Sequence, residues 1–351
     1  MNSVYQSNEI VVRSPGRFTC GENLPRARAR RAIRVFCIAA ALLMAGPACR
    51  LGGLGAAPLP TDIPTEPGTY TLGLDHDGMS RHYILHVPAG YDGATPLPVL
   101  FMLHGSFGSA EGASIYYGWR EKADAEGLIA IFPQGAGEVE TWNAAHCCGF
   151  ARRRGVDDVG FIVAILDAAS AVLAVDSHRV YATGMSNGAM MCHRLGAERP
   201  DIFAAIGPVA GTVGGEPIIG APEELPPTPA APLPVIMFHG TDDNFVLYGG
   251  GLPRRGALLG RIDASVAESV QFWVTADGCD SEPLIESLAD GSVVRESYDC
   301  PPGAEIILYT IIGGGHAWPG GQLPRPQADP PTPAISATDT IWTFFAAHPR
   351  P

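Results

Sequence analysis

The sequence has 351 residues, of which 46% are apolar and 17% charged, and a formal net charge of −13. That balance excludes a disordered chain, and an acidic body argues against nucleic acid or an anionic membrane surface as a partner. The 43 Gly and 32 Pro point to many loops, and no repeat with a period of about 20–50 residues marks a solenoid or propeller.

The charge is unevenly placed. Residues 1–49 carry seven Arg and two Glu, a net of +5, so the remainder is near −18. Arg26, Arg28, Arg30, Arg31 and Arg34 form a basic stretch ahead of an apolar run at 35–45. Gly46 and Ala48 then stand at −3 and −1 of a cleavage site before Cys49. The run is too short to span a bilayer. The segment therefore reads as a signal peptide, and the mature protein as secreted or periplasmic. A buried helix is the bland alternative, against which the dense Arg flank counts. A lipoprotein acylated at Cys49 is another, against which Pro47 and the missing Leu at −3 count. We divide the chain into an extension and signal at 1–48, a Pro/Gly-rich linker at 49–65 and a single domain at 66–351.

Export makes disulfides available. Of the cysteines that remain, Cys279 and Cys300 bracket two strand-like runs and are the favoured pair. One of the vicinal Cys147 and Cys148 is a candidate partner for Cys192. No His/Cys spacing suggests zinc, and no cofactor is expected.

Residues 68–74 and 81–87 alternate as strands around Asp75-His76-Asp77-Gly78, a hairpin signal. A continuous apolar run at 98–103 marks a buried parallel strand and ends in His104-Gly105-Ser106-Phe107-Gly108. A helix over 110–126 and a strand at 128–132 follow. Residues 133–156 form a long connection, of the kind that is usually functional when ordered. Asp157-Asp158 opens a helix to about residue 173. Beyond it lie strands at 179–183, 204–210 and 233–238, with a Pro-rich insertion at 214–234. A helix is predicted over 262–275, a hairpin over 283–299 and a last core strand at 305–312. A proline-rich loop at 319–333 leads to a helix at 334–347. Strands alternating with helices predict an α/β fold: a mostly parallel sheet covered on both faces, with antiparallel strands leading in.

The chemistry gathers around Gly184-Met185-Ser186-Asn187-Gly188. A strand enters it and a helix, beginning with Ala189-Met190-Met191, leaves it, which is the context of a nucleophile elbow. A serine hydroxyl needs a base, a group to orient that base, and donors for an oxyanion. In this class the acid and then the histidine follow the serine in the chain, each at the carboxyl end of a strand. The strand at 233–238 ends in His239-Gly240-Thr241-Asp242-Asp243, and the strand at 305–312 ends in Gly313-Gly314-Gly315-His316. Asp243 is favoured as the acid, with Asp242 the competitor whose bland role is a turn residue. Among ten His, His316 alone combines a Gly-rich approach, a strand end and the right order. His104 and His239 read as structural, and His193 as packing. The backbone N–H groups of Asn187 and Ser106 are the expected oxyanion donors. Trp142 and Trp318 are candidates to line an acyl pocket, with plain packing as the alternative.

Several motifs occur together in order: Leu103-His104-Gly105, Trp142-Asn143 with Cys147-Cys148-Gly149, Val156-Asp157-Asp158-Val159-Gly160-Phe161, the Ser186 elbow, His239-Gly240-Thr241 with Asp243 and Val246, and Gly315-His316-Ala317-Trp318-Pro319-Gly320-Gly321. The set resembles the polyhydroxybutyrate depolymerase-like esterase family, which includes feruloyl esterases and LpqC-type secreted esterases. The resemblance spans about residues 66–347. It implies an α/β-hydrolase fold, a Ser186–Asp243–His316 triad and hydrolysis of an ester to an acid and an alcohol. The implied substrates are hydroxycinnamoyl or other acyl esters of polysaccharides, or polyhydroxybutyrate-type polyesters. Two rival readings are a serine peptidase, since the same triad cleaves amides, and an exported ligand-binding relative without activity. Non-catalytic relatives of the second kind usually lose a triad member, and all three are present here.

Overall fold

A computed structural model describes residues 59–256 and 260–351. The predicted signal peptide, Cys49 and most of the linker lie outside the described residues. Among the described residues no helix is long and apolar enough to cross a membrane.

The sheet begins with the hairpin read from the sequence: β1 (Gly68–His76) and β2 (Met79–Val87) pair antiparallel around Asp77 and Gly78, both at positive φ. β3 (Leu97–Leu103), β4 (Ile129–Pro133), β5 (Val175–Met185), β6 (Ala205–Val209), β8 (Val235–Gly240) and β12 (Ile306–Ile311) form its parallel centre. At the far edge β10 (Leu284–Leu288) and β11 (Val293–Tyr298) add an antiparallel hairpin. The strand order is β1-β2-β4-β3-β5-β6-β8-β12-β11-β10. A short pair, β7 (Gly215–Glu216) with β9 (Ile262–Asp263), stands apart from this sheet.

The continuous apolar runs of the central strands are explained by two buried faces. In β3, Val99, Phe101 and Leu103 face one core, while Leu100 and Met102 face the other. Helices α4 (Asp158–Ser170), α5 (Asn187–Glu198) and α6 (Val266–Asp277) cover the first face with Phe161, Leu195 and Trp273. Helices α1 (Ala110–Tyr116), α2 (Trp119–Glu126) and α7 (Ala337–Ala347) cover the second with Trp119, Ile341 and Phe345. A short α3 (Gly149–Arg154) sits within the long 133–156 connection. The architecture is that of an α/β-hydrolase, as predicted.

Three local expectations are corrected. The helix predicted over 110–126 is two helices, because Gly118 adopts a left-handed conformation between them. The helix predicted from Ile262 starts at Val266: Ser265 and Glu268 form a reciprocal capping box, and Ile262–Asp263 is strand instead. Cys192 does not pair with the vicinal cysteines. It is free and buried in the core, where burial pushes its thiol up, while Cys147 and Cys148 are joined to each other. Cys279 and Cys300 are bonded as favoured.

Candidate active site

The candidate nucleophile sits where β5 turns into α5. Ser186 holds φ 57° and ψ −121°, a strained conformation for a residue with a Cβ. The flanking glycines are there for space. A Cβ on Gly184 would come within 2.6 Å of the Gly188 backbone, and one on Gly188 within 2.2 Å of the Leu103 carbonyl oxygen. Strand β3, the elbow and the start of α5 are thus in backbone contact. The Ser186 N–H donates to the Val209 carbonyl at 2.9 Å, which ties the elbow to the end of β6.

The candidate acid and base stand at the ends of adjacent parallel strands, β8 and β12. Asp243 is 2% exposed. Its Oδ1 accepts the backbone N–H groups of Phe245 and Val246 at 2.8 and 2.9 Å, and its Oδ2 accepts His316 Nδ1–H at 2.6 Å. Burial alone would raise this carboxyl, but His316 and His239 beside it hold it well below the usual carboxylate range. His239 lies 3.5 Å from Asp243 Oδ2 and donates from Nε2 to the Val246 carbonyl at 2.8 Å, so it braces the acid's turn. The Asp242 side chain is exposed and takes no part in this network, though its backbone N–H donates to the Gly314 carbonyl at 2.9 Å.

The turn after β3 lies against the elbow. A Cβ on Gly105 would be 3.2 Å from Ser186 Cβ and 3.8 Å from its Oγ. The Gly108 N–H closes this turn onto the Gly105 carbonyl at 2.9 Å. His104 fixes it from below. Its Nδ1–H donates to the Gly105 carbonyl at 2.8 Å, and its Nε2 accepts the Gly135 N–H at 2.9 Å. That arrangement requires the neutral ring, and burial brings its pKa down to about 4. Ser106, in the turn, and Asn187, first residue of α5, therefore flank the serine from two directions. A first-turn helical N–H such as that of Asn187 has no intrahelical acceptor.

Trp142 and Trp318 do not line an open pocket. Trp142 is fully buried, its indole N–H donating to the His104 carbonyl at 2.8 Å. Trp318 is 2% exposed, packs against Tyr117 with ring centroids 4.7 Å apart, and donates to Thr338 Oγ1 at 3.0 Å. Both support the floor and sides of the site from within the core. The exposed aromatic beside it is Phe107, 73% exposed on the Gly105 turn.

Sequence reasoning missed three groups. The Asn187 side chain exchanges hydrogen bonds with the Trp142 backbone, at 2.7 and 3.2 Å. Gln134 caps the site's underside: its Oε1 accepts the Ala110 N–H at 2.8 Å and its amide lies 3.3 Å from His104 Nε2. Asp329 accepts the His316 backbone N–H at 2.9 Å. Asn187 was legible as a backbone donor only, and nothing local in the sequence marks Gln134 or Asp329.

Fold and relatives together define the class: this is a carboxylic ester hydrolase of the α/β-hydrolase fold. The family model described as Esterase PHB depolymerase matches residues 81–221. The chain is 32% identical over 343 residues to NocK of Nocardia uniformis subsp. tsuyamanensis, which is named as an esterase; the match covers 88% of this chain and 96% of that one. It is 31% identical over 247 residues to feruloyl esterase B of Piromyces equi, covering 69% of this chain and 44% of that protein. It is 27% identical over 255 residues to poly(3-hydroxyalkanoate) depolymerase C of Paucimonas lemoignei, covering 67% and 58%. Among solved structures, an acetyl xylan esterase from Aspergillus awamori superposes with a TM-score of 0.55 at 16% identity, over 80% of this chain and 99% of that one, a likeness of fold. The chain belongs to the PHB depolymerase esterase family.

Proposed function

We propose that the protein is an exported serine esterase that works through an acyl-enzyme. Ser186 Oγ attacks the ester carbonyl carbon while His316 Nε2 takes its proton. Asp243 keeps the proton of His316 on Nδ1 and stabilises the ring when it is charged. The N–H groups of Asn187 and Ser106 receive the tetrahedral oxyanion. Collapse breaks the bond to the alcohol oxygen, which leaves with the proton from His316. Water then attacks the acyl carbon, His316 again takes a proton, and the acid departs from a regenerated Ser186.

The observation that carries this reading is the 2.6 Å bond between His316 Nδ1 and a buried, charge-stabilised Asp243 at the ends of neighbouring strands. It leaves Nε2 as the free basic nitrogen. The strained elbow serine in the same layer supplies the group such a base would serve. Catalytic hydrogen bonds to the nucleophile commonly tighten only when substrate is bound.

The relatives favour hydroxycinnamoyl or acetyl esters of polysaccharides, or hydroxyalkanoate polyesters, as the substrate class. A single purified preparation assayed on methyl ferulate, acetylated xylan, short acyl esters and a hydroxybutyrate oligomer tests this. Turnover of at least one supports the reading and ranks the acyl groups. Hydrolysis of none, with cleavage of a peptide amide instead, would replace it with the peptidase reading.

A further inference from the structure

We propose that Asp329 and Arg255 are positioning residues that lock the His316 loop to the loop carrying Asp243. The inference rests on the esterase reading above for its consequence on rate, and on geometry alone for the lock itself.

Asp329 lies in the proline-rich loop, thirteen residues beyond His316. Its Oδ2 accepts the backbone N–H of His316 at 2.9 Å, and its Oδ1 accepts Arg255 Nη1–H at 3.3 Å. The backbone N–H of Arg255 in turn donates to the carbonyl of Asn244 at 2.8 Å, and Asn244 is the residue after Asp243. The Arg255 guanidinium also sits 5.9 Å from the Phe245 ring, whose centroid is 5.1 Å from that of His316. The two loops already meet through the Asp243–His316 bond, through the Thr241 and Asp242 N–H groups, which donate to the Ile311 and Gly314 carbonyls at 3.0 and 2.9 Å, and through the Gly313 N–H, which donates to Thr241 Oγ1 at 2.8 Å. A second, side-chain link runs outside these, from the backbone N–H of His316 itself through Asp329 and Arg255 to Asn244.

Gly315 gives an independent reason to think the second link is built in. Its φ is not in the left-handed region, so its backbone conformation does not require glycine. Space does: a Cβ there would lie 2.7 Å from both Cβ and Oδ2 of Asp329. The residue before the histidine is thus shaped to seat this carboxylate.

Magnitude decides what the lock is for. The Asp329 and Arg255 side chains are 20% and 55% exposed, and ion pairs at that exposure contribute little to stability. A shift of about 1 Å in a catalytic base, by contrast, can cost about a hundredfold in rate. Loss of the lock should appear in kcat, with little change in thermal stability.

The test uses the full chain and a nitrophenyl acyl ester. Asp329→Ala is expected to lower kcat by about tenfold to a hundredfold with KM within about twofold. Arg255→Ala is expected to lower it less, and Arg255→Lys to restore most of the loss. The double variant is expected to be no worse than Asp329→Ala, since both act through one link. An unchanged kcat in Asp329→Ala, a matching rise in KM, or additive losses in the double variant would each overturn the proposal. If Asp329→Ala does not fold, Arg255→Ala decides in the same way, because its side chain is exposed. The downfield proton resonance of His316 Nδ1–H is recorded on the same samples. It should be sharp in the unaltered protein and broadened or shifted in Asp329→Ala or Arg255→Ala; an unchanged resonance overturns the lock. That signal does not depend on turnover, so a protein that hydrolyses no ester would sink the esterase reading while the lock is still judged.

Discussion

The side-chain amide of Asn187 holds both backbone groups of Trp142: Oδ1 accepts the Trp142 N–H at 2.7 Å, and Nδ2 donates to its carbonyl at 3.2 Å. Nδ2 also lies 3.7 Å from Cys147 Sγ. One residue thus anchors the long 133–156 connection through its side chain, and its own N–H, at the start of α5, is the one proposed to receive the oxyanion.

Replacing Asn187 with Ala strands the buried Trp142 N–H, at a cost of about 1–3 kcal/mol, while the Trp142 carbonyl keeps the Cys148 N–H at 3.0 Å. We expect a loss of stability of that order by urea denaturation and a fall in kcat of about tenfold or more. Asn187→Asp should also fail, because it keeps the acceptor and loses the donor. Full stability and turnover in either variant would show that the clamp is dispensable.

Gly188→Ala should be worse tolerated than a typical helical Gly→Ala change. Its Cβ would meet backbone oxygens of Leu103 and His104 at 2.2 and 2.6 Å, and neither can move without displacing β3. Expression as insoluble protein, or a soluble product with turnover reduced by about a hundredfold, is the expected result. A variant as soluble and active as the parent would mean that the elbow relaxes more easily than its packing suggests.

Much of this site could be read from the chain because its parts obey local rules. The elbow glycines, the apolar strands ending in His239 and in Gly313-Gly314-Gly315, and the serine–acid–histidine order are each visible within a few residues. What failed depended on direction. An aromatic beside a functional motif does not reveal which way its ring points, and Trp142 and Trp318 point inward. The Cys192 pairing failed likewise, since α5 turns that side chain into the core. The start of α6 was legible and overlooked: Ser265-Val266-Ala267-Glu268 is a capping signal that outweighs the apolar Ile262 ahead of it. Asp329 was not legible, because only the folded loop brings it to His316.

Opposing titrations should shape stability against pH. Burial holds His104 at about 4 and His193 at about 3, against an ordinary 6.5. Both are neutral in the fold, so their contribution is full above about pH 6.5 and is lost as pH falls, toward 4 for His104 and toward 3 for His193, by up to about 1.4 kcal/mol per unit for each. Asp277 does the reverse. Buried at the carboxyl end of α6, it is raised from 3.8 to about 7, so its cost is absent at low pH and complete above about 7. Asp277→Asn keeps an acceptor for the Leu233 N–H. It should raise the urea midpoint clearly at pH 8 and little at pH 4; an equal gain at both would contradict the assignment.

The central claim is that Ser186 is a nucleophile served by His316. Reaction with a fluorophosphonate, followed by mass spectrometry of the Ser186 peptide, tests it most directly. We predict one label per chain, on Ser186, absent in Ser186→Ala and slowed by about a thousandfold or more in His316→Ala, with hydrolysis of a nitrophenyl acyl ester lost in step. Labelling of a different serine, or turnover retained by Ser186→Ala, would contradict it.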